Sequence, residues 1–209
     1  MKFLKKLDCK KLILFLLVFI FSVSVKSHAQ QFASQLWHQG YVITVKKDTV
    51  RGLVKYDMEA NSIQVKTKQK VFSFSSHSIL ISEIFDETVG NNRKFYSIPY
   101  ELNSGFKTRM LFELLLEGPV SLLAREEIVQ ETATTNNFGG PQLVRDRLRY
   151  NFFFLDNKGE IQFYNGRRSE LIDFMSKKGG LVKSFIKENK LKTDEVRDLI
   201  RIVAFYNSI

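Results

Sequence analysis

The sequence predicts an α+β protein: an antiparallel β-meander, with a barrel-like curl as one option, followed by a helical C-terminal unit of two to three short helices. Three observations support this class. Apolar residues alternate with polar ones through most of residues 40–164, which is typical of strands. Short polar turns separate these segments, and such turns favour antiparallel neighbours. After residue 166 the apolar period lengthens to about 3.6 residues, which indicates helices.

The predicted strands follow one another as hairpins. Residues 41–45 and 49–56 form the first hairpin, with its turn at Lys47-Asp48. Gly52 lies on the inward face of the second strand, where a missing side chain indicates a bulge or a close neighbouring backbone. Further strands are predicted around 61–65, 72–74, 78–85, 94–101, 107–117, 120–128, 148–155 and 161–164. The polar, aperiodic stretch 130–141 predicts a long exposed loop.

Three short helices are predicted after the sheet. Ser169 is placed to cap the first helix, and Gly179-Gly180 predicts a left-handed stop at its end. The second helix carries apolar residues from Leu181 to Ile186, and the third begins near Thr193. Each has an apolar stripe, so we expect the helices to pack on the sheet or on one another.

Residues 1–29 predict a cleavable secretory signal. A lysine-rich head precedes an unbroken apolar run from Leu12 to Phe21, and Ser27-His28-Ala29 puts small residues where signal peptidase cleaves. The weakly apolar continuation ends at Val25, so the segment is shorter than the roughly 20 residues of a membrane span. We therefore expect no transmembrane segment after cleavage. The expected location is the periplasm or cell envelope, with secretion as the other destination.

Cleavage at this site predicts two remaining parts, a β-rich domain at 30–166 with its loop at 130–141, and a helical unit at 167–209 packed on it. The only cysteine, Cys9, leaves with the signal, which excludes disulfides and thiolate chemistry from the mature chain. Six lysines and one aspartate leave as well, so the formal net charge of +10 falls to +5. Much of the basic charge therefore serves targeting, and no nucleic-acid partner is expected.

No catalytic residue, metal ligand or cofactor is predicted in the mature chain. His38 and His77 are too few for a histidine-rich zinc site. His77 stands among serines at 75–78, but neighbours along a strand point to opposite faces, so a turn is favoured over a nucleophilic pair.

Glycoside hydrolysis needs two facing carboxylates, and its candidates are Glu113, Glu117, Glu126 and Glu127. Whether the protein is an enzyme stays open at this point, with a non-catalytic role favoured.

Three arginines form the most suggestive charge pattern. Arg145, Arg147 and Arg149 alternate along a predicted strand, so all three project from one face. The planar guanidinium matches pairs of phosphate or carboxylate oxygens, which predicts an anion-binding site on this arginine row. The alternative is a solvated face, or cross-strand ion pairs with Glu126 and Glu127.

Four aromatic residues are candidates for a sugar-binding platform. They are Trp37, Tyr41, Tyr56 and Phe72. Their inward periodicity favours a place in the core instead.

Four blocks of sequence carry a resemblance to other proteins. They are GYVITVKKDTVRGLVKYD, MLFELLLEGPVSLL, NFFFLDNKGEIQFYN and LVKSFIKENKLKTDEVRDLIRIVAFYN. Together they resemble a family of exported Bacteroidota proteins of unknown function, over nearly the whole mature chain. The resemblance implies a Gram-negative envelope, and it implies no activity or binding residues because each block is a hairpin or a helix pair.

These observations favour an exported, non-catalytic envelope module that binds another envelope component. An envelope protein, a glycan and an anionic lipid are the partners considered. Two alternatives remain: a carboxylate-dependent hydrolase acting on exported glycans, and an anionic lipid or polymer binder that uses Arg145, Arg147 and Arg149.

Overall fold

The structure is a computed structural model that describes residues 31–102, 105–134 and 142–209. The predicted signal at 1–29 lies outside these residues. The strands are β1 His38–Thr44, β2 Thr49–Asp57, β3 Ser62–Lys66, β4 Val71–Ser75, β5 Ile79–Asp86, β6 Asn91–Glu101, β7 Lys107–Leu116, β8 Ser121–Thr134, β9 Gln142–Leu155 and β10 Ile161–Tyr164. The helices are α1 Arg168–Phe174, α2 Gly179–Glu188 and α3 Val196–Ser208.

The strands pair as one antiparallel sheet in the order β10-β9-β8-β7-β6-β5-β1-β2-β3-β4. The sheet has two edges, β4 and β10, and does not close into a barrel. The predicted α+β class, a meander followed by short helices, is confirmed. The residues from Phe32 to Ile209 form a single compact unit.

Two facing glycines allow the first strands to curl. Gly40 on β1 lies opposite Gly52 on β2. A Cβ atom on Gly40 would collide with the backbone oxygen of Glu83, and one on Gly52 would collide with that of Lys66. The close neighbouring backbone predicted at Gly52 is therefore confirmed, because only glycine leaves room for it.

The inner face of the sheet holds two apolar cores. Pairing of Glu113 with Ala124, of Phe95 with Glu113, and of Ser82 with Phe95 places these residues on the same face. The curled-sheet core on this face includes Val42, Val54, Tyr56, Ile63, Ile84, Phe95 and Leu111. The sheet–helix core includes Leu122, Ala124, Phe152, Phe154, Leu171, Ile186, Leu199 and Val203.

The helices differ in detail from the prediction. Helix α1 begins at Arg168, and no side chain caps it, so Ser169 is not its N-cap. Gly179 begins α2 with right-handed angles, φ −56° and ψ −34°, so the predicted left-handed stop is wrong. A Cβ atom on Gly179 would lie 3.3 Å from Ile172 Cγ2 of α1. The glycine therefore serves close packing between two helices rather than a turn.

Helix α3 is tied to the sheet by one side chain. Asn207 Nδ2 donates to Val120 O at 2.8 Å, and Asn207 Oδ1 accepts from Val120 N at 3.0 Å. This pair of bonds satisfies backbone groups in the turn between β7 and β8. Within the described ranges, no helix is both long enough and apolar enough to cross a membrane.

A two-stranded arm extends from the sheet. Strand β7 pairs with β8 only as far as Ala124, and β10 pairs with β9 only from Phe152 onward. Ala124 and Phe152 are themselves a cross-strand pair, so pairing with both neighbours stops at the same level: β10 ends there, whereas residues 107–112 of β7 pair only with β6. Beyond it, residues 125–134 and 142–151 continue as the β8–β9 arm. Residues 130–134 of the predicted loop are therefore strand, and 135–141 lie outside the described residues.

Candidate functional site

Charged residues meet in the protein interior, between the two apolar cores. Arg93 on β6 is 8% exposed and contacts three buried carboxylates. Its Nε and Nη2 donate to the two oxygens of Glu113 on β7, at 2.7 and 2.6 Å. Its Nη1 donates to Asp86 Oδ2 on β5 at 3.1 Å, and its Nη2 also contacts Glu126 Oε1 on β8. We name these four residues the buried charge cluster.

Two tyrosines complete the hydrogen bonding of this cluster. Tyr56 on β2 donates its hydroxyl proton to Glu126 Oε2 at 2.7 Å and accepts from Arg93 Nη1 at 2.7 Å. Tyr150 on β9 donates to Glu126 Oε1 at 3.3 Å. Burial raises the pKa of both hydroxyls, and the nearby Glu126 charge raises it further, so they remain protonated donors.

The cluster contains more negative than positive groups. One guanidinium faces three carboxylates, and burial together with the charges of Glu126 and Asp86 raises the pKa of Glu113 although Arg93 opposes the rise. Burial would also raise the pKa of Asp86, but hydrogen bonds from Thr88 and Arg93 outweigh it and lower the pKa. A proton entering the cluster is therefore better accommodated on Glu113 than on Asp86.

A small cleft reaches this cluster from the surface. Its volume is about 220 Å³, and Tyr56 and Glu126 line it together with Lys55, Met58 and Glu59. Of the four hydrolase candidates, only Glu113 and Glu126 come together. Arg93 Nη2 contacts both of them, so one guanidinium occupies the space between the two acids.

The other two hydrolase candidates lie elsewhere. Glu117 is exposed in the turn after β7. Glu127 lies beside Glu126 on β8 and pairs with Arg149, so it faces away from the cluster. The predicted four acids therefore do not form one site. The arrangement of Glu113 and Glu126 fits ion pairing within the fold better than a pair of carboxylates facing across an open cleft.

The histidine and serine candidates have structural positions. His38 is buried, and its Nε2 lies 2.8 Å from Ala33 O. Residues 76–78 form a short 3-10 turn, in which Ser76 Oγ donates to Arg109 O at 2.7 Å. In the part of the chain that the structure describes, no group of histidine, cysteine, aspartate or glutamate side chains is arranged to hold a metal ion.

The four aromatic candidates do not lie together in the core. Tyr56 is 1% exposed and belongs to the curled-sheet core, whereas Trp37 precedes β1 and is 38% exposed. Tyr41 and Phe72 are half-buried. An arginine lies over the Tyr41 ring, and a lysine lies over the Phe72 ring. The core prediction is therefore confirmed for Tyr56 and wrong for Trp37.

The arginine row lies on the β8–β9 arm, and all three side chains project from one face as predicted. Arg149 Nη2 contacts Glu127 Oε2 at 2.7 Å, Arg147 Nη1 contacts Glu131 Oε1 at 2.6 Å, and Arg145 Nη2 lies 3.7 Å from Glu131 Oε2. The arginine side chains are 56–67% exposed. Cross-strand pairs therefore exist, but with Glu127 and Glu131 and not with Glu126. Three guanidiniums share two carboxylates, which leaves the face positively charged.

A groove runs beside the base of the arm, where β10 ends. Its volume is about 890 Å³. Arg147, Arg149 and Tyr150 of β9 line it, together with Glu131 of β8, Tyr164 and the residues at the start of α3. The Tyr164 hydroxyl is buried and, among the described residues, has no hydrogen-bond partner of good geometry.

The buried charge cluster is not among the sites that the sequence predicts. Two signals point to it: Glu113 interrupts the apolar stretch of β7, and Arg93 occupies an inward position of β6, which begins at Asn91 before the predicted start. A charge in a strand that is otherwise apolar requires a partner of opposite sign. Which residues supply the partner depends on the pairing of β5 to β8, which is not local in sequence.

The comparisons with known proteins found no matching family model, no matching curated protein and no matching solved structure. The resemblance to exported Bacteroidota proteins accordingly stays a prediction.

Proposed function

We propose that this protein is exported and acts in the cell envelope as a non-catalytic binding module, and that its ligand contacts the β8–β9 arm. The export part of the proposal is supported by the signal pattern at 1–29. The binding part is supported by one observation above all. The arm extends beyond the end of β10 and beyond the part of β8 that pairs with β7, and it carries three exposed arginines on one face.

The base of the arm is held in the fold by Glu126 and Tyr150, but its outer part, 128–132 and 144–149, is largely exposed. A two-stranded ribbon without flanking strands buries little apolar surface, so this outer part is marginally stable by itself. Its exposed ion pairs add little to stability. Long, solvent-exposed strands are also a hazard for aggregation. An arm of this kind is better explained by contact with another molecule than by a role in folding.

The hydrolase alternative has weaker support. Its two converging acids, Glu113 and Glu126, are buried and are held by Arg93. A hydrolase would need at least one of them free to donate a proton or to attack, next to space for a sugar. The 220 Å³ cleft lies beside Glu126 but not beside Glu113.

Capture from envelope extract tests the proposal. The full chain, immobilised, is expected to retain an envelope component, whether protein, glycan or lipid. A variant with Arg145, Arg147 and Arg149 changed to glutamine should lose it. A control variant with Lys177, Lys183 and Lys187 changed to glutamine, all within the C-terminal helical unit, removes the same charge and should retain it.

Two results would contradict the proposal. The first is equal retention by both triple variants, which would show that the arginine row is not part of the contact. The second is turnover of an exported glycan that disappears in Glu126→Gln while the fold is preserved. Circular dichroism and urea unfolding of each variant establish that the fold is preserved.

A further inference from the structure

The outer edge of β9 is open along the arm. β10 pairs with β9 only from Tyr164↔Phe152 to Ile161↔Leu155. Within the described part of the chain, no strand pairs with residues 144–151 on that side, and no loop makes a backbone hydrogen bond to them. An open edge of eight residues is long for a natural protein, which usually covers or shortens such edges.

The hydrogen-bonding groups of this edge follow from the neighbouring hairpin. Asp156 N donates to Glu160 O at 3.0 Å, so the even-numbered residues of β9 direct their backbone groups toward β10. Continuing this alternation, Val144, Asp146, Leu148 and Tyr150 direct their N–H and C=O groups to the open edge. The odd-numbered residues direct theirs to β8.

The side chains specify which strand would fit. On an added antiparallel strand, the residues opposite Arg145, Arg147 and Arg149 form the closer, non-hydrogen-bonded pairs. Acidic residues there would lie about 5 Å from the arginines between Cβ atoms. The other face of β9 presents Val144, 55% exposed, the half-buried Leu148 and Tyr150, and the exposed Asp146 between them. The complementary segment therefore has acidic residues opposite the arginines and mainly apolar residues at the alternate positions.

The groove provides the space in which such a segment would begin. Its lining includes Tyr164 at the end of β10 and Arg147, Arg149 and Tyr150 of β9, so it adjoins the open edge. Asp194 and Glu195 also line the groove, so the residue entering beside them would not be acidic.

We propose that the open edge of β9, residues 144–151, accepts an extended acidic segment of another envelope protein as an added antiparallel strand in line with β10. Strand addition combines backbone hydrogen bonds, which provide affinity, with alternate side-chain contacts, which provide specificity. This inference rests on the proposed function, because it specifies the partner that the arm binds.

The decisive variant removes one edge donor without touching the arginines. Asp146 is exposed, and its carboxylate makes no hydrogen bond or ion pair with another described residue. Proline at this position lacks the N–H that points to the open edge, while the ladder to β8 keeps its bonds. Asp146→Ala is the matched control, because it removes the same carboxylate and keeps the N–H.

The probe is a ten-residue peptide of alternating glutamate and valine, titrated against the full chain. Wild type and Asp146→Ala are expected to bind it, and Asp146→Pro is expected to bind at least about tenfold more weakly, since it loses an edge hydrogen bond and distorts the strand. The triple arginine-to-glutamine variant is also expected to lose about tenfold through three exposed charge pairs. Thermal unfolding of Asp146→Pro within a few degrees of Asp146→Ala shows that the arm is preserved.

The outcomes separate the possible partners. Absence of peptide binding by wild type, or equal binding by Asp146→Pro and Asp146→Ala, overturns strand addition. If the triple arginine variant still loses the envelope component in either case, the proposed function stands without this inference. Binding to vesicles of phosphatidylglycerol and phosphatidylcholine that depends on the arginines but not on the residue at 146 would identify an anionic lipid surface and overturn the inference as well.

Discussion

The buried charge cluster and the arginine row contain the same chemical groups in opposite surroundings. Around Arg93, the guanidinium and its carboxylates are at most 9% exposed. Along β9, the guanidiniums are 56–67% exposed and their carboxylates 37–42% exposed. Water screens the exposed ion pairs of β9 but not the buried ion pairs of Arg93. Breaking the buried pairs therefore costs much stability, whereas breaking the exposed pairs costs almost none. The difference shows that the contribution of an arginine-glutamate pair to stability depends on its burial.

The largest expected effect comes from Arg93→Met. Loss of the guanidinium leaves three buried carboxylates without a counter-charge, so we expect the free energy of unfolding to fall by about 3–5 kcal/mol. Arg93→Lys should lie between wild type and Arg93→Met, because an ammonium keeps the charge but not the planar fork. Urea unfolding measures all three proteins. Equal stability of wild type and Arg93→Met would contradict the proposed difference in stability between the buried charge cluster and the arginine row.

Tyr56→Phe should have the next largest effect. It removes the hydrogen bond to Glu126 and the acceptor for Arg93, both at 2.7 Å. The two bonds share one hydroxyl, and a hydrogen bond to a charged group contributes about 1.5–3 kcal/mol, so we expect a total loss in this range. Tyr41→Phe is the matched control, since Tyr41 donates to the more exposed Glu83 at 3.0 Å. A loss as large for Tyr41 as for Tyr56 would contradict the role assigned to burial.

A smaller effect is expected from the titration of Glu113. Its folded pKa lies above the ordinary value of 4.5, so the folded state binds the proton more tightly than the unfolded state. This carboxyl therefore makes the free energy of unfolding rise as pH falls from its raised pKa toward 4.5. Asp86 acts in the opposite direction: its folded pKa lies below 3.8, and its contribution is lost as pH falls below that value.

Urea midpoints of wild type and Glu113→Gln, measured from neutral pH to about pH 3, test this. The difference between the two proteins should change between neutral pH and 4.5, because only wild type gains stability there. Glu127→Gln is the exposed control: hydrogen bonds from Arg149 and Asn151 lower the Glu127 pKa, so its contribution is lost on acidification. A parallel pH profile for wild type and Glu113→Gln would show that this carboxyl does not titrate as described.

The smallest stability effect is expected from Arg149→Met. Its ion pair with Glu127 is exposed, so we expect a loss below about 1 kcal/mol at low salt. In about 1 M NaCl the loss should vanish, since the Debye length is then roughly 3 Å. The cost of Arg93→Met should persist under the same conditions. A large, salt-independent loss for Arg149→Met would mean that the arm is part of the stabilising structure.

Most of the fold follows from local patterns. The alternation of Val50, Val54 and Tyr56, the glycine on the inner face at Gly52, and the change to helical spacing after Gly166 all correspond to elements of the structure. The prediction errors occur where one residue type is compatible with several local structures. Gly179 was interpreted as a helix stop, but it allows two helices to approach. The polar residues at 130–134 were interpreted as a loop, although β8 continues through them because β9 supplies a partner.

The candidate site was predictable only in part. Arg145, Arg147 and Arg149 share a face by the twofold period of a strand, which is a local property. Their carboxylate partners are set by the register of β8 and β9, and this register joins Glu127 to Arg149 rather than involving Glu126. Glu126 points to the other face, where Tyr56 and Arg93 bind it. A shift of one residue in register would exchange the two glutamates.

The sequence alone determined the strand and helix periods, the predicted export signal, and the charge on one face of β9, because each depends on residues close together in the chain. The tertiary structure decided which charges are buried and which remain exposed. Arg93, Glu113 and Glu126 come from separate strands and converge only when the sheet assembles, whereas β10 ends before the arm and leaves the edge of β9 open. Burial and strand pairing are properties of the whole sheet, and they separate the buried charge cluster from the arginine row.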